Sequence, residues 1–486
     1  MKISVSSEPR KIHHSRQPSQ TCNLPTFRKH TPIIEHAPSP GTPSRNPYRT
    51  ILRRDYPEPF IALLAFILGI WLWDHYFGRN LGYSPGTETM ALVKADRDLR
   101  LADAMAEDPA WLRWLAGTDT PVIARENTLT VFQKLAIDQS LSLQGLEAFA
   151  VLKSQHENLP LQHLMLQATG GRMNFDFDLA SHELANHRGT WWSARIVADM
   201  EQEMSPASQW RQTYTDDSHT LRNRAIFVRS SVWALCLAGL FFLPTCLHTL
   251  GDGLRAKPQG YSSGWPLSLG LVVFLCATLA WIGFTLLLEI GIGSLPYLHP
   301  AIGIFLDSAA RMLPPLIALG LLFRRPSHAI QTLGIAKPIP VRAIIGLFSI
   351  LIILDQGLRL VFENSAATDP GGGLSPSEAG IWGLTFAIIS ACILAPLAEE
   401  ILYRGVLFKS FWNRLGVLPA AILSAIVFAT LHFYDGYGLS SVGIFGFSCA
   451  ILYAATGSLS ATIALHMLYN FSIKFPEWLV YHCPLG

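Results

Sequence analysis

Charge is what this chain has least of. Only 15% of its 486 residues are Asp, Glu, Lys or Arg, while 50% are hydrophobic, and the mean hydropathy is +0.29. That balance excludes an ordinary soluble protein and points to a chain that crosses a bilayer many times. Metal-thiolate spacing is missing as well. The seven cysteines form no C-x-x-C or Cys/His pattern, and Cys236, Cys246, Cys276, Cys392 and Cys449 fall in apolar runs, where cysteine serves as a small buried hydrophobe. No disulfide, zinc-thiolate site or other cofactor is expected. A signal peptide is also absent from the expectation, because the first apolar run begins only near Pro59.

What is there is a series of long apolar runs. Stretches of roughly 17–25 residues suffice to cross the membrane, and such runs occur near 59–78, 229–250, 265–291, 305–324, 342–363, 380–408, 417–434, 439–456 and 458–475. The predicted fold is all-α, a polytopic membrane helix bundle of about eight to nine transmembrane helices with a mostly helical extramembrane insert. Residues 1–54 carry ten Lys/Arg against two acids and many Pro, Ser and His. They read as a disordered cytosolic arm that could also meet anionic headgroups, a solvated topogenic tail being the plainer reading. Flanking charge then sets the orientation: Arg324, Arg325, Lys337, Arg342, Lys409 and Arg414 fall in the cytosol, and the segment Glu363 to Glu378, without Lys or Arg, falls outside.

Residues 79–225 form a polar insert after one helix, hence on the non-cytosolic side. Helical apolar spacing recurs at Leu99, Leu101, Met105, Trp111, Leu112 and Leu115, and again across Leu141 to Leu152. The insert has no cysteine and is long enough for a small domain. Trp191, Trp192 and Arg195 could form a binding surface for an extracytoplasmic partner, with a core or interface aromatic pair as the alternative.

Against this apolar background the charges at Ala398 to Phe408, A-E-E-I-L-Y-R-G-V-L-F, stand out, because an ionised group at membrane depth costs at least a few kcal/mol. Two polar echoes follow, F-A-T-L-H ending at His432 and H-M-L-Y-N from His466 to Asn470. If the first of these helices ends near Lys409, Glu399 is about 15 Å deep at 1.5 Å per residue. By the same rise His432 is about 20 Å, His466 about 12 Å and Asn470 about 18 Å from the same face. Glu400 and Arg404 are spaced i,i+4 and can share an ion pair, which leaves Glu399 to face another neighbour. Pro396 lacks the donor that would close its turn and can open the helix there. A carboxylate with an imidazole can hold and deprotonate water, and an amide with a second imidazole can bind an oxyanion. Such a set suits attack of water on an amide.

E-E-x-x-x-R, then F-x-x-x-H, then H-x-x-x-N on successive apolar segments resembles the CPBP family (the ABI domain), which includes the type II CAAX prenyl endopeptidases and bacteriocin-processing enzymes. The resemblance covers roughly Arg342 to Lys474 and implies an intramembrane glutamic-type endopeptidase. It implies Glu399 as the base that activates water with His432, His466 and Asn470 as the oxyanion site, and Glu400 with Arg404 as positioning and charge-balancing groups. The expected organisation is then the arm over 1–54, a first transmembrane helix over 55–78, the insert over 79–225, helices two to four over 226–340, a CPBP-like catalytic core over 341–475 and a short tail over 476–486. A bacterial cell (inner) membrane is the expected location. The expected partners are a membrane-associated protein or peptide substrate and the bilayer, with no nucleic acid.

Other readings stay open on the sequence. A zinc hydrolase could use Glu399, His432 and His466 as ligands, although no H-E-x-x-H places two histidines one turn apart. A non-catalytic immunity or scaffold protein could retain the fold. Asp307/Arg311 and Asp355/Arg359 are i,i+4 pairs that a transporter could use, but such pairs more often fix helix packing, and no inverted repeat is visible. Nothing in the sequence encodes recognition of a prenyl group.

Overall fold

The computed structural model describes residues 56–76, 87–138, 141–158, 189–201, 209–256, 265–293, 300–362, 380–432 and 436–483, all within one compact unit, Pro47–Gly486. The basic arm and the segment Glu363 to Glu378 lie outside the described residues. What is described is an all-α protein, with no strand among those residues.

The first helix, α1 (Glu58–Tyr76), is followed by α2 (Thr87–Ala104), α3 (Ala110–Ala116), α4 (Pro121–Asp138), α5 (Leu143–Glu157) and α6 (Trp191–Glu201). Their ends obey local rules. Gly117, at φ 65, closes α3, and Ser142 caps α5 by accepting the Gly145 N–H at 3.2 Å. Leu99, Phe132, Leu135, Val151, Leu152 and Trp191 pack into one core. Trp191 and Trp192 are therefore core residues and not a surface. The indole of Trp191 donates to Asp103 Oδ2 at 2.6 Å, and Arg195 sits over its ring at 5.3 Å. Trp111 departs from the expected apolar stripe and is 65% exposed.

The next helix, α7 (Gln209–Leu240), is 32 residues long and runs unbroken from the insert into the second apolar run. It bends by 59° into α8 (Leu243–Arg255), so the expected single span near 229–250 is a bent pair. Then come α9 (Leu267–Gly293), α10 (Pro300–Ala310), α11 (Leu313–Leu322), α12 (Pro326–Leu333) and α13 (Val341–Val361). The run expected as one helix at 305–324 breaks at Arg311 and Met312, where Pro314 and Pro315 remove two helix donors. Close approach between helices uses small residues. A Cβ at Gly239 of α7 would overlap Ser349 of α13, and one at Gly253 of α8 would overlap the Ala455 backbone.

The longest span is composite: α14 (Gly380–Ile389), a π-helical segment (Ser390–Leu394), α15 (Ala395–Glu399), a second π-helical segment (Glu400–Phe408) and α16 (Lys409–Leu415). Together Ile381–Leu415 makes 35 residues of one apolar span. Lys409, expected in a cytosolic loop, is instead buried within this helix. Its ammonium reaches the Thr332 carbonyl and lies 5.5 Å from the Trp265 ring, so the apolar run continues past it. The chain ends with α17 (Val417–Thr430), α18 (Gly436–Thr456) and α19 (Leu459–Tyr481). The last helix thus takes in most of the expected tail.

Among the described residues, five helices are long and apolar enough to cross a membrane, or six if the bent pair is one span. The other members of the expected set are the shorter Glu58–Leu72 and Val417–Thr430, and the more polar α19. Leu287, Ile290 and Ile61 are exposed by 69%, 73% and 61%, faces suited to lipid and not to water. Cys276 also lies exposed on α9, whereas Cys236, Cys246, Cys392 and Cys449 are buried. The protein is a multi-pass membrane protein.

The two ends of the bundle differ. At one end Tyr453 donates to Leu333 O at 3.2 Å and Ser460 to Ile335 O at 2.6 Å, which pins the α12 region to the end of α18 and the start of α19. At the other end the insert meets the end of α19: Tyr481 donates to Asp98 at 2.7 Å, and Arg224 to Cys483 O at 3.1 Å. Asp355, also toward this end, accepts from Tyr437 and Ser441 at 2.7 Å and from Arg359 at 3.2 Å, a clamp joining α13 to α18. Asp307 of α10 pairs at 3.2 Å with Arg311 in the break that follows it.

Candidate active site

The π-helical segments decide how the two adjacent glutamates are used. In a π-helix the backbone bond runs i→i+5, and such bulges recur at functional sites. Here one precedes Glu399 by a turn and the other begins at Glu400, so the local twist around the pair is not that of a plain α-helix. Pro396, at the start of α15, supplies the local reason for the first irregularity, since it cannot donate a backbone bond.

Glu400 turns inward. Its side chain and that of Arg404 are both 0% exposed, and Arg404 Nη1 stands 2.9 Å from Glu400 Oε1. The same carboxylate oxygen is 2.9 Å from His466 Nδ1, and Thr462, one turn earlier on α19, faces it too. Arg404 Nη2 donates to Gly446 O at 3.2 Å, and the guanidinium lies 4.3 Å from the Phe428 ring centroid. Losing one partner of such a buried pair strands the other charge, at about 3–5 kcal/mol.

Glu399 turns toward the two histidines. Its side chain and that of His432 each keep 24% of their exposure, against 5% for His466. Glu399 Oε2 lies 3.9 Å from His432 Nε2 and 3.8 Å from His466 Nε2. Each ring's other nitrogen is occupied: Nδ1 of His432 is 2.7 Å from Phe428 O, and Nδ1 of His466 is on Glu400. A carbonyl and a carboxylate can only accept, so both Nδ1 atoms carry the proton when the rings are neutral. Both Nε2 lone pairs then face the same carboxylate oxygen.

His432 does not lie within a membrane helix. α17 stops at Thr430 after 14 residues, about 21 Å at 1.5 Å per residue, and His432 sits on the turn that follows. Asn470 lies one turn beyond His466, but its amide donates to Ala391 O at 2.8 Å, in the first π-helical segment. One of its two N–H groups is thus used, and the other remains to be placed. The structure brings Glu399, Glu400, Arg404, His432 and His466 into one cluster and sets Asn470 at its border. Among the described residues no group of three His, Cys, Asp or Glu side chains is arranged to hold a metal ion.

Residues 381–472 match the family model Type II CAAX prenyl endopeptidase Rce1-like. This Rce1-like segment contains all six candidate residues and none of the insert. The Bacillus subtilis (strain 168) protein "Putative membrane peptidase YdiL" is similar as well, 29% identical over 90 residues. That alignment takes in 18% of this chain and 36% of the relative's own length. No solved structure matches.

Three features of the Rce1-like segment escape motif reading. Phe428 and Phe445 hold the His466 ring between them at centroid distances of 6.2 and 4.7 Å, and nothing marks either among many phenylalanines. Thr462 is the second. Gly446 is the third: a Cβ there would come within 2.9 Å of Phe428 and 3.3 Å of Arg404. The spacing of Thr462 to His466, one helical turn, is the one signal that could have found any of them.

Proposed function

We propose that this protein is an intramembrane endopeptidase of the glutamic type, hydrolysing peptide bonds of membrane-associated proteins or peptides. The observation that carries the reading is the position of Glu399 Oε2, 3.9 and 3.8 Å from two imidazole Nε2 atoms whose Nδ1 atoms are tied down elsewhere. These separations exceed a direct hydrogen bond and suit a bridging water.

In this mechanism the water oxygen attacks the scissile carbonyl carbon while its proton passes to Glu399, assisted by His432. The carbonyl π pair moves onto oxygen, and the resulting oxyanion is met by a protonated His466 Nε2 and the second N–H of Asn470. Collapse of the tetrahedral adduct breaks the C–N bond, and the proton held by Glu399 goes to the leaving nitrogen. Glu400 and Arg404 act through His466, whose ring the carboxylate orients by its contact with Nδ1. The membrane is proposed to be a bacterial inner membrane, with the site opening toward the cytosolic half and the 79–225 insert outside, recruiting or sensing a partner.

The test compares membrane and secreted peptides of cells carrying wild-type protein with those of Glu399→Gln cells, followed by cleavage of an accumulating peptide with purified protein in liposomes. The reading expects accumulation in the variant, cleavage by wild type, and activity that survives exhaustive chelation. Stoichiometric zinc that is lost with activity and restores it on return would replace base catalysis with a Lewis-acid mechanism. Every motif position being filled supports catalysis over a scaffold role.

A further inference from the structure

The side chains that α7 leaves exposed change character within about one turn. From Thr215 to Asn223 every exposed side chain is polar, Asp216, His219 and Thr220 among them. From Phe227, which is 74% exposed, the large ones are apolar: Leu235, Leu237 and Phe241 follow, the last 86% exposed. With α8, α7 makes a bent pair long and apolar enough to cross the membrane, so this switch marks where it passes from water into the bilayer. Two other helices carry an exposed tryptophan near the same end of the bundle. Trp71 lies close to the end of α1, which leads into the insert. Trp382 lies at the start of α14, whose Ile381 and Leu384 share a cavity with Leu92 and Trp192 of the insert. Tryptophan collects at the boundary of a bilayer.

Helix α3 of the insert meets α7 beyond that switch. Ala116 is buried in a cluster with Leu221 and Ala225, the Arg229 guanidinium donates to Ala116 O, and Trp114 lies against Trp233 with ring centroids 5.2 Å apart. The end of α3 is therefore level with Arg229 to Trp233, inside the apolar stretch of α7. Its free face carries Trp111 and Trp114, spaced i,i+3 on one side of the helix and exposed by 65% and 52%. Val122 and Ile123, also exposed, follow in the first turn of α4. The end of α3 is also built for a place with little water. Arg113 O accepts from the Thr118 N–H and Trp114 O from the Gly117 N–H, each at 3.0 Å, while Arg229 takes Ala116 O. Water satisfies such carbonyls at an ordinary helix end, but at membrane depth the chain must do so itself.

We propose that α3 is an interfacial anchor: Trp111 and Trp114 sit among lipid headgroups and upper acyl chains, and through them the insert lies on the membrane surface instead of standing clear of it. The occupant of this face is lipid and not a protein. The face lies at the depth where α7 exposes Phe227, and a soluble partner could reach that depth only by displacing lipid. Tryptophan suits the layer, because its ring is apolar and its N–H can reach a headgroup or water. The anchor depends neither on which compartment holds the insert nor on the chemistry at Glu399.

The test places the photo-crosslinking amino acid p-benzoylphenylalanine singly at Trp111, Trp114, Leu287 and Glu157 of the full-length protein in phosphatidylcholine vesicles. Leu287, 69% exposed on the membrane helix α9, is the lipid-facing reference. Glu157, a carboxylate 42% exposed on α5, is the water-facing one. After irradiation, mass spectrometry counts lipid adducts. Trp114 packs on Trp233, so the more exposed Trp111, where one aromatic side chain replaces another, carries the decision. Adduct yields at Trp111 and Trp114 are expected to match that at Leu287 and to exceed that at Glu157 by about tenfold. A yield at Trp111 nearer to that of Glu157 than to that of Leu287 overturns the proposal, as do cross-links to a second copy of the chain in place of lipid.

Discussion

The insert and the bundle both pair acids with bases, yet the same chemistry has different consequences in the two places. In the insert Arg222 grips Asp108 through a fork of 2.6 and 2.7 Å, and the two side chains keep 25% and 18% of their exposure. In the bundle Glu400 and Arg404 meet at 2.9 Å with no exposure at all. Water can replace the first contact, so such a pair contributes about 0–1 kcal/mol. Nothing replaces the second, and an unpartnered charge there costs about 3–5 kcal/mol. Charge in the insert shapes a surface, whereas charge in the bundle persists only with a complete set of partners. Against that demand, Glu399 stands out: it is the carboxylate of the cluster that keeps solvent access and lacks a close base.

The sharpest way to break this contrast sets Glu399→Gln against Arg222→Gln. The first should lower turnover by at least about 10²–10⁴-fold, the span of general-base catalysis, with an unchanged unfolding temperature. The second should leave turnover as it was. Wild-type turnover in Glu399→Gln, measured in liposomes, would remove the base assignment.

Stability should show the reverse order. Glu400→Ala leaves Arg404 alone in the bundle and should cost about 3–5 kcal/mol, while Arg222→Gln should cost under about 1 kcal/mol. Denaturant unfolding in detergent reads both. The double variant Glu400→Gln/Arg404→Met should recover part of the loss, because it strands no charge. Equal stability of Glu400→Ala and wild type would mean that the pair is dispensable.

A smaller effect is expected from acid, and it should fall on the insert. The hydrogen bond from Arg222 holds the Asp108 carboxyl below its ordinary value. That stabilisation is present above the ordinary carboxylate range and fades as pH drops through the depressed one. His482 is lowered from 6.5 to about 4 by burial, so the detached form takes up a proton first, and its contact with the insert weakens as pH falls across that window. Protection factors, which correct hydrogen exchange for its intrinsic pH dependence, should therefore fall in α2 between pH 7 and 4 through His482, and around Asp108 only below about pH 4. Protection that stays flat in a window would contradict the assignment made for it.

The last difference is one of sidedness and should leave stability untouched. A cysteine placed at Ser154 should react with a membrane-impermeant reagent in intact spheroplasts, and one placed at Ser19 only after permeabilisation. The opposite pattern would turn the site's opening to the outer face.

Much of this molecule follows from local rules that a sequence carries in full. Apolar runs of membrane length, the i,i+4 spacing of Glu400 and Arg404, and a helical stripe with Leu99 and Met105 at its buried positions depend only on neighbours along one helix. Helix ends were less legible. Lys409 reads as a loop residue until the Thr332 carbonyl and the Trp265 ring are brought to it from other segments. His432 reads as helical until α17 is seen to stop at Thr430. The i,i+4 spacing to Arg404 gave the ion pair to Glu400 and left Glu399 to another neighbour, but the approach of Glu399 to both imidazole Nε2 atoms could not be read from it. It depends on two π-helical turns and on the rotation of α19, held by the Asn470 bond to Ala391 O. The residue types that can do the chemistry were therefore determined by the sequence itself. Their division into one buried ion pair and one accessible carboxylate was decided by tertiary packing, because burial and distance belong to several helices at once and to no single stretch of chain.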